Sequence, residues 1–271
     1  MISAELREFA EVPDRFTGIA PNSSVDRFDD GSVCVVRGPM WASVAGIDVD
    51  AAEVDALVDR VRALVPPETH CTWWLGPSVR PADLVDRLRS RGFSPPKDGP
   101  HSLIALALTH EPASPPDGID VRRVRTFDAW LASREIAWDA FDVPDERRAR
   151  IRERSDEDFA EALALGAPAH FLATLDGRPA ATGTAIPSPR GMFLIAGSTA
   201  PWARRRGLYR ALVHARWRYA VESGAPALVT HADPGTSYPI LRRLGFEDVC
   251  TITRLEDPRA AQSAGSTSPA A

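Results

Sequence analysis

The sequence predicts an α+β protein built from two segments of related layout. Three observations carry that expectation. Residues 119–256 alternate strand-like and helix-like patterns, residues 1–110 repeat the later part of that order, and a proline-rich stretch separates the two. That stretch, "THEPASPPDG" at 109–118, places prolines at 112, 115 and 116 among little apolar content, as a stiff exposed linker does. The expected organisation is therefore a domain over 1–110, a linker over 111–118 and a domain over 119–256. A tail over 257–271 is small and polar and is expected to be disordered. A chain of 271 residues, 44% hydrophobic and 25% charged, has enough length and apolar content for two cores.

The second segment gives the clearer pattern. "IDVRRVR" (119–125) alternates as a strand does, and Thr126 is a plausible N-cap for the helix "TFDAWLASREIAWDAF". A second helix is expected from about Pro144 to Leu165. "HFLATLDGRPAATGTAIP" reads as a hairpin turning at Asp176-Gly177. A strand follows over 191–200, a helix from Gly207 to about Ser223, and a strand "PALVTHA". The helix "SYPILRRL" is closed by Gly245, and "DVCTITRLE" is a last strand.

In the first segment the helix "AEVDALVDRVRALV", the strand "HCTWWLG", the helix "PADLVDRLRSRGF" and the strand "HSLIALAL" follow one another. "DLVDRLRSRGF" and "YPILRRLGF" end alike, and Ala56 to Gly92 spans 36 positions where Ala211 to Gly245 spans 34. This matching predicts two copies of one fold.

Composition narrows the functions. A net charge of -5 argues against a general nucleic-acid binder. Cys34, Cys71 and Cys250 sit in apolar stretches without metal-ligand spacing, so no metal site is expected and a reduced, cytoplasmic setting is. The N-terminal "MISAELREFAEV" has no signal-like apolar core, and no window approaches the roughly 18 apolar residues of a membrane span.

Against the acidic background, "GSTAPWARRRGLYRAL" concentrates positive charge where a strand, a proline and a loop feed a helix. The first turn of a helix has N–H groups without intrahelical partners, and the helix dipole adds partial positive charge. Such a terminus binds phosphate. Gly207 lets the backbone come close, and Arg204, Arg205 and Arg206 add guanidinium groups at the same point. A solvated basic loop is the plainer reading, and the order of strand, proline, arginines, glycine and helix weighs against it.

The stretch resembles the acyl-CoA loop of the GCN5-related N-acetyltransferases (GNAT), whose pattern is Arg/Gln-x-x-Gly-x-Gly/Ala after a strand. Arg204-Arg205-Arg206-Gly207-Leu208-Tyr209 fills it, with Tyr209 in place of the last small residue. The resemblance covers about 119–256 and implies two GNAT-type acyl-CoA N-acyltransferase domains with mixed, mostly antiparallel sheets flanked by helices. It implies acetyl-CoA as co-substrate, with pantetheine along the preceding strand at Gly197 and Thr199. The pyrophosphate would lie on the backbone of Arg204, Arg205, Arg206, Gly207, Leu208 and Tyr209. The first segment resembles the same fold in degenerate form: Asp48, Asp50, Glu53 and Asp55 stand where a pyrophosphate would bind.

Acetyl transfer to an amine needs a base near the nitrogen and an acid near the sulfur. In many members the acid is a tyrosine five residues before the phenylalanine of "GF", a position held here by Leu241. Tyr238 and Ser237 are the nearest substitutes. For the base, Glu135, Asp139 and Asp142 lie beside Trp138 and Phe141, and His231 and Asp233 follow the strand "ALVT". A water-mediated base stays open. The expected function is transfer of an acetyl group to a primary amine of a small-molecule acceptor, by a monomer or homodimer with no nucleic-acid or membrane partner. A non-catalytic acyl-CoA-binding sensor is the alternative.

Overall fold

In the computed structural model, residues 2–19, 23–39, 41–97, 99–165 and 168–259 are described. The chain begins with helices α1 (Ala4–Glu11) and α2 (Pro13–Phe16) and strands β1 (Asp26–Asp29), β2 (Cys34–Arg37) and β3 (Trp41–Ala45). Then come α3 (Val54–Leu64), β4 (His70–Leu75), α4 (Leu84–Ser90) and β5 (Ser102–Leu108). After the linker follow β6 (Ile119–Arg123), α5 (Phe127–Ala140), α6 (Asp145–Glu153), α7 (Ser155–Leu165), β7 (Ala169–Leu175) and β8 (Arg178–Ser188). The last elements are β9 (Gly191–Thr199), α8 (Leu208–Glu222), β10 (Leu228–Ala232), α9 (Tyr238–Arg243) and β11 (Glu247–Glu256).

These elements form two compact units. One, the N-terminal unit, holds residues 7–106, 232–239 and 248–259; the other, the C-terminal unit, holds 2–6, 107–231 and 240–247. Both are interleaved in sequence, where consecutive blocks were expected. The reason is β11, which pairs antiparallel with β4 through Thr253↔Leu75 to Glu256↔Thr72 and so completes the sheet of the N-terminal unit. That sheet runs β1-β2-β3-β4-β11-β5, with β3 and β4 parallel. Strands β1 to β3 and helices α1 and α2 have no counterpart in the sequence reading. They are short, and β2 and β3 are near-continuous apolar runs that lack the alternation of a half-buried strand.

Packing follows from the helical spacing. Helix α3 buries Val54, Leu57, Val58 and Val61, an i, i+3, i+4, i+7 stripe. The stripe shares its core with Leu84, Leu88, Leu255 and fully buried Trp73, whose ring meets Phe93 edge-on at 5.3 Å. Each such side chain contributes roughly 1.5–3 kcal/mol through burial.

In the C-terminal unit the strand order is β10-β9-β8-β7-β6. β9 and β10 are parallel, and the other pairs are antiparallel. The hairpin turns at Asp176 and Gly177, with φ of 53° and 76°, the two left-handed residues of a type I′ turn. Thr126 caps α5 by accepting the Ala129 N–H. The helix expected over 144–165 is instead two, broken at Arg154, where Ser155 turns its hydroxyl back to the Ile151 carbonyl. Alternation along β7 assigns the faces. Phe171 meets Tyr219 of α8, and its neighbour His170 meets Trp130 of α5, so these helices cover opposite sides of the sheet.

The two units share one helix ending. Gly92 and Gly245 have φ of 86° and 96°, and Phe93 and Phe246 each donate an N–H to the leucine five residues back, Leu88 and Leu241, at 3.2 Å. Both leucines are buried. Parallel pairing of β3–β4 in one unit and β9–β10 in the other completes the correspondence.

The tail expected over 257–271 lies outside the described residues from 260 on. Asp257 is held instead: its side chain is 2% exposed and accepts from Arg62 at 3.1 and 3.2 Å and from the Arg259 N–H. Burial pushes its carboxyl up, but these hydrogen bonds and the two guanidinium charges leave it below the usual carboxylate range. Asp257→Asn is expected to cost about 2–4 kcal/mol, because a buried charge pair loses one member. Chemical denaturation at neutral pH checks this value.

Candidate functional site

The bulge in β9 starts the site. Pairing with β8 shifts register between Thr182↔Ser198 and Thr184↔Ile195, so β9 carries an extra residue, and Ala196 takes a left-handed φ of 52°. On its other edge β9 pairs with β10 only as far as Thr230↔Leu194, yet it runs on to Thr199. Beyond Leu194 the two parallel strands part, and residues 195–199 have no partner on β10. His231 is the first residue past the last pair, its ring 5.4 Å from Phe193.

After Thr199 the chain makes a single 3₁₀ turn at Pro201–Ala203 and reaches α8 through three arginines. Arg204 Nε donates to the Thr199 carbonyl at 3.5 Å, and Arg205 takes a left-handed φ of 65°. Gly207 caps α8 with φ of 84°, and a Cβ there would stand 2.4 Å from the Pro116 ring. Only glycine fits both conditions. The first intrahelical bond runs from the Ala211 N–H to the Gly207 carbonyl, which leaves the amides of Leu208, Tyr209 and Arg210 without helical partners.

The charges around these amides are unbalanced. Arg204, Arg205 and Arg206 are exposed, and Arg210 buries an Nε that has no hydrogen-bond partner. Among the described residues no carboxylate forms a salt bridge with any of the four. Many arginines elsewhere do pair, as Arg15 with Asp29, Arg37 with Asp26, Arg60 with Asp30 and Arg148 with Asp139.

Tyr209, where a small residue was the family pattern, turns its ring toward the sheet. A Cβ on Gly197 would meet that ring at 2.9 Å and its hydroxyl at 3.3 Å. Beside the phenol lies Arg216, only 1% exposed. Its Nε donates to the Leu212 carbonyl at 3.0 Å and its Nη1 to the Thr184 carbonyl at 3.4 Å, while Nη2 has no hydrogen-bond partner. Burial pushes the phenol up and the guanidinium down, and each group partly opposes the shift of the other.

On the opposite face Thr184 Oγ1 lies 3.1 Å from His170 Nδ1, whose ring meets Trp130 edge-on at 4.7 Å. The Arg134 guanidinium sits 4.2 Å over Trp130. Burial first, and the Arg134 charge second, push His170 down to about 4.

The structure gives the remaining candidates other partners. Glu135 is bound to Arg152 at 2.6 Å, and Asp139 to Arg148 at 2.7 Å. Asp142 occupies a left-handed turn position with φ of 49°. Ser237 Oγ accepts the Asp233 N–H, and Asp233 in turn accepts from Gly235 and Thr236, so both close a loop. Tyr238 Oη donates to Asp248 at 2.9 Å, and both belong to the N-terminal unit. Leu241 is buried in the core.

At α3 of the N-terminal unit no comparable site exists among the described residues. Glu53 accepts the Asp50 N–H at 3.0 Å and Asp55 pairs with Arg91, so that helix start carries its own carboxylates. Cys34, Cys71 and Cys250 are free, and burial pushes each thiol up to about 12, which leaves none as a nucleophile. No helix among the described residues is long and apolar enough to cross a membrane.

A pH dependence follows from His170. Its value is near 6.5 in the unfolded chain and about 4 when folded. In that window the unfolded chain binds a proton that the folded state refuses, so stability present above 6.5 is lost as the pH falls toward 4. The loss attributable to His170 is up to about 3 kcal/mol. Denaturant unfolding at several pH values should show His170→Asn losing less stability on acidification than the wild-type chain.

Comparison with known proteins gives the fold. No family model matches the chain, and no curated protein does. Solved structures do match. A GCN5-related N-acetyltransferase from Kribbella flavida is 21% identical with a TM-score of 0.64, covering 87% of this chain and 90% of that one. A GCN5-related N-acetyltransferase from Sphaerobacter thermophilus is 17% identical with a TM-score of 0.53, covering 94% and 85%. A tandem GNAT protein from the clavulanic acid biosynthesis pathway is 13% identical with a TM-score of 0.59, covering 94% and 88%. The chain has the fold of the GCN5-related N-acetyltransferases, a mixed sheet flanked by helices in each of two units.

Proposed function

We propose that the chain is an N-acetyltransferase that moves the acetyl group of acetyl-CoA to a primary amine of a small-molecule acceptor. One observation carries the reading: three adjacent exposed arginines without a carboxylate partner lead directly into the free amides of α8, at the end of the strand that leaves β10. An isolated cluster of like charge at the positive end of a helix is unfavourable until an anion arrives. A pyrophosphate fits the donors of Arg204, Arg205, Arg206 and the backbone from Gly207 to Tyr209. Pantetheine fits the β9 edge at Gly197 and Thr199, in the place that a parallel neighbour vacates.

The chemistry supplied by the cofactor is an activated acyl group. The chain's share is to hold the thioester at the bulge, to polarise its carbonyl with backbone N–H groups and to take the amine's proton. His231 is the base this arrangement favours, since it stands at the mouth of the gap while Glu135 is committed to Arg152. The site belongs to the C-terminal unit, and the N-terminal unit binds no acyl-CoA. Three free thiols fit a reducing, cytoplasmic compartment.

A panel of small primary amines, read by free-thiol release from acetyl-CoA, tests the activity. Turnover with at least one amine is the expected outcome. Arg204→Glu with Arg206→Glu should raise the KM for acetyl-CoA by about tenfold or more, since charge-assisted bonds are lost and repulsion is added. Binding of acetyl-CoA without turnover of any amine would favour the sensor reading instead.

A further inference from the structure

The acid side of the reaction has no group at its usual place. Leu241 is buried and accepts the helix-closing bond from Phe246, and Tyr238 already gives its proton to a hydrogen bond with Asp248. Of the three tyrosines, the remaining ones are Tyr209 and Tyr219. Tyr219 packs on Phe171 and under Arg123, away from the bulge by two strands. Tyr209 alone lies against Gly197, with its hydroxyl 3.3 Å from where a Cβ of that glycine would be.

The group beneath Tyr209 is as unusual as its position. Arg216 is a fully buried cation with two backbone carbonyls, no carboxylate, and one Nη without a hydrogen bond. Removing a guanidinium from water is expensive, and an incompletely bonded one more so. It stands between the Gly183 backbone and the Tyr209 phenol, where a Cβ on Gly183 would be 3.0 Å from its Nη1. A positive charge there stabilises negative charge on the phenol oxygen and at the bulge above it.

We infer that Tyr209 donates the proton to the leaving thiolate, with Arg216 as the positioning residue beneath it. This inference rests on the acetyl-transfer reading. The amine nitrogen bonds to the thioester carbonyl carbon, the carbon–sulfur bond breaks, and its electron pair stays on sulfur. The proton of Tyr209 Oη passes to that sulfur and yields the free thiol of CoA. The phenolate left behind faces Arg216 until the proton released by the amine restores it through water. The net change is one amide and one free thiol. Tyr209 therefore occupies the position of a small loop residue because its side chain supplies the acid that Leu241 cannot.

The test compares wild type with Tyr209→Phe, Arg216→Met and, as a control, Tyr219→Phe. Tyr209→Phe keeps the ring on Gly197 and removes only the hydroxyl. With the best amine of the panel its kcat should fall about 10²-fold, with acetyl-CoA affinity within about twofold by calorimetry and the alkaline limb of the kcat–pH profile gone. Arg216→Met should leave the thermal midpoint unchanged or raised and move that limb to higher pH, a shift that a merely structural arginine would not cause. Tyr219→Phe should behave as wild type. Retention of kcat and of the alkaline limb in Tyr209→Phe overturns the inference and leaves the acetyltransferase reading intact. If wild type binds acetyl-CoA but turns over no amine, the affinity ratio of CoA free thiol to acetyl-CoA decides. Between neutral pH and about 10 it should rise as the thiol ionises, and a rise unchanged in Tyr209→Phe overturns the inference. Absence of acetyl-CoA binding to wild type removes both readings together.

Discussion

A parallel pair of strands that parts halfway along its length is the constraint on which the C-terminal unit depends. β9 leaves β10 after Leu194 and must satisfy its backbone in another way, because unpaired buried amides and carbonyls are costly. The bulge at Ala196 turns the strand, and the immediate passage through three arginines into α8 delivers helix amides to the end of the same gap. The β9 stretch without a β10 partner and the free amides of Leu208, Tyr209 and Arg210 thus belong to one short segment of chain. The proposed acetyl-CoA would lie along that segment, its thioester toward the bulge and its pyrophosphate toward α8.

The electrostatics are consistent with this geometry. Many arginine side chains elsewhere are matched by carboxylates or aromatic rings, as Arg62 is by Asp257 and Arg178 by Trp202. Three unbridged arginines, Arg204 to Arg206, stand side by side at one helix start, where the dipole works against them. Below the bulge a second exception, Arg216, is retained inside the core with its bonding incomplete. In the proposed acetyl transfer these two unfavourable placements of positive charge would meet a negatively charged occupant at one and charge that develops during reaction at the other. The N-terminal unit shows the contrast: with the same helix–strand–helix order and the same glycine-terminated ending, it answers its helix start with Glu53 and Asp55.

Much of this was legible in the sequence because the signals are local. The Asp176-Gly177 turn, the Thr126 cap, the Gly245 ending and the arginine run before Gly207 each depend on a few neighbouring residues. What stayed hidden was set by distant partners. β1 to β3 form because other strands pair with them, and β11 joins β4 across about 180 residues of chain without any mark of that partner in its own pattern. The partners of the acid and base candidates were hidden for the same reason, since nothing adjacent to Tyr238 foretells Asp248, or to Glu135 foretells Arg152. Tyr209 was visible only as a departure from the loop pattern. Its direction, inward under Gly197, depends on the bulge one strand away.

Calorimetric titration of acetyl-CoA into the full chain tests the central claim most directly. Saturation at one site per chain, weakened as salt is raised, is the predicted result. Two sites would contradict the assignment of the N-terminal unit as a half without a cofactor site. Absence of binding would contradict the claim that the arginines and free amides at α8 exist to hold a pyrophosphate.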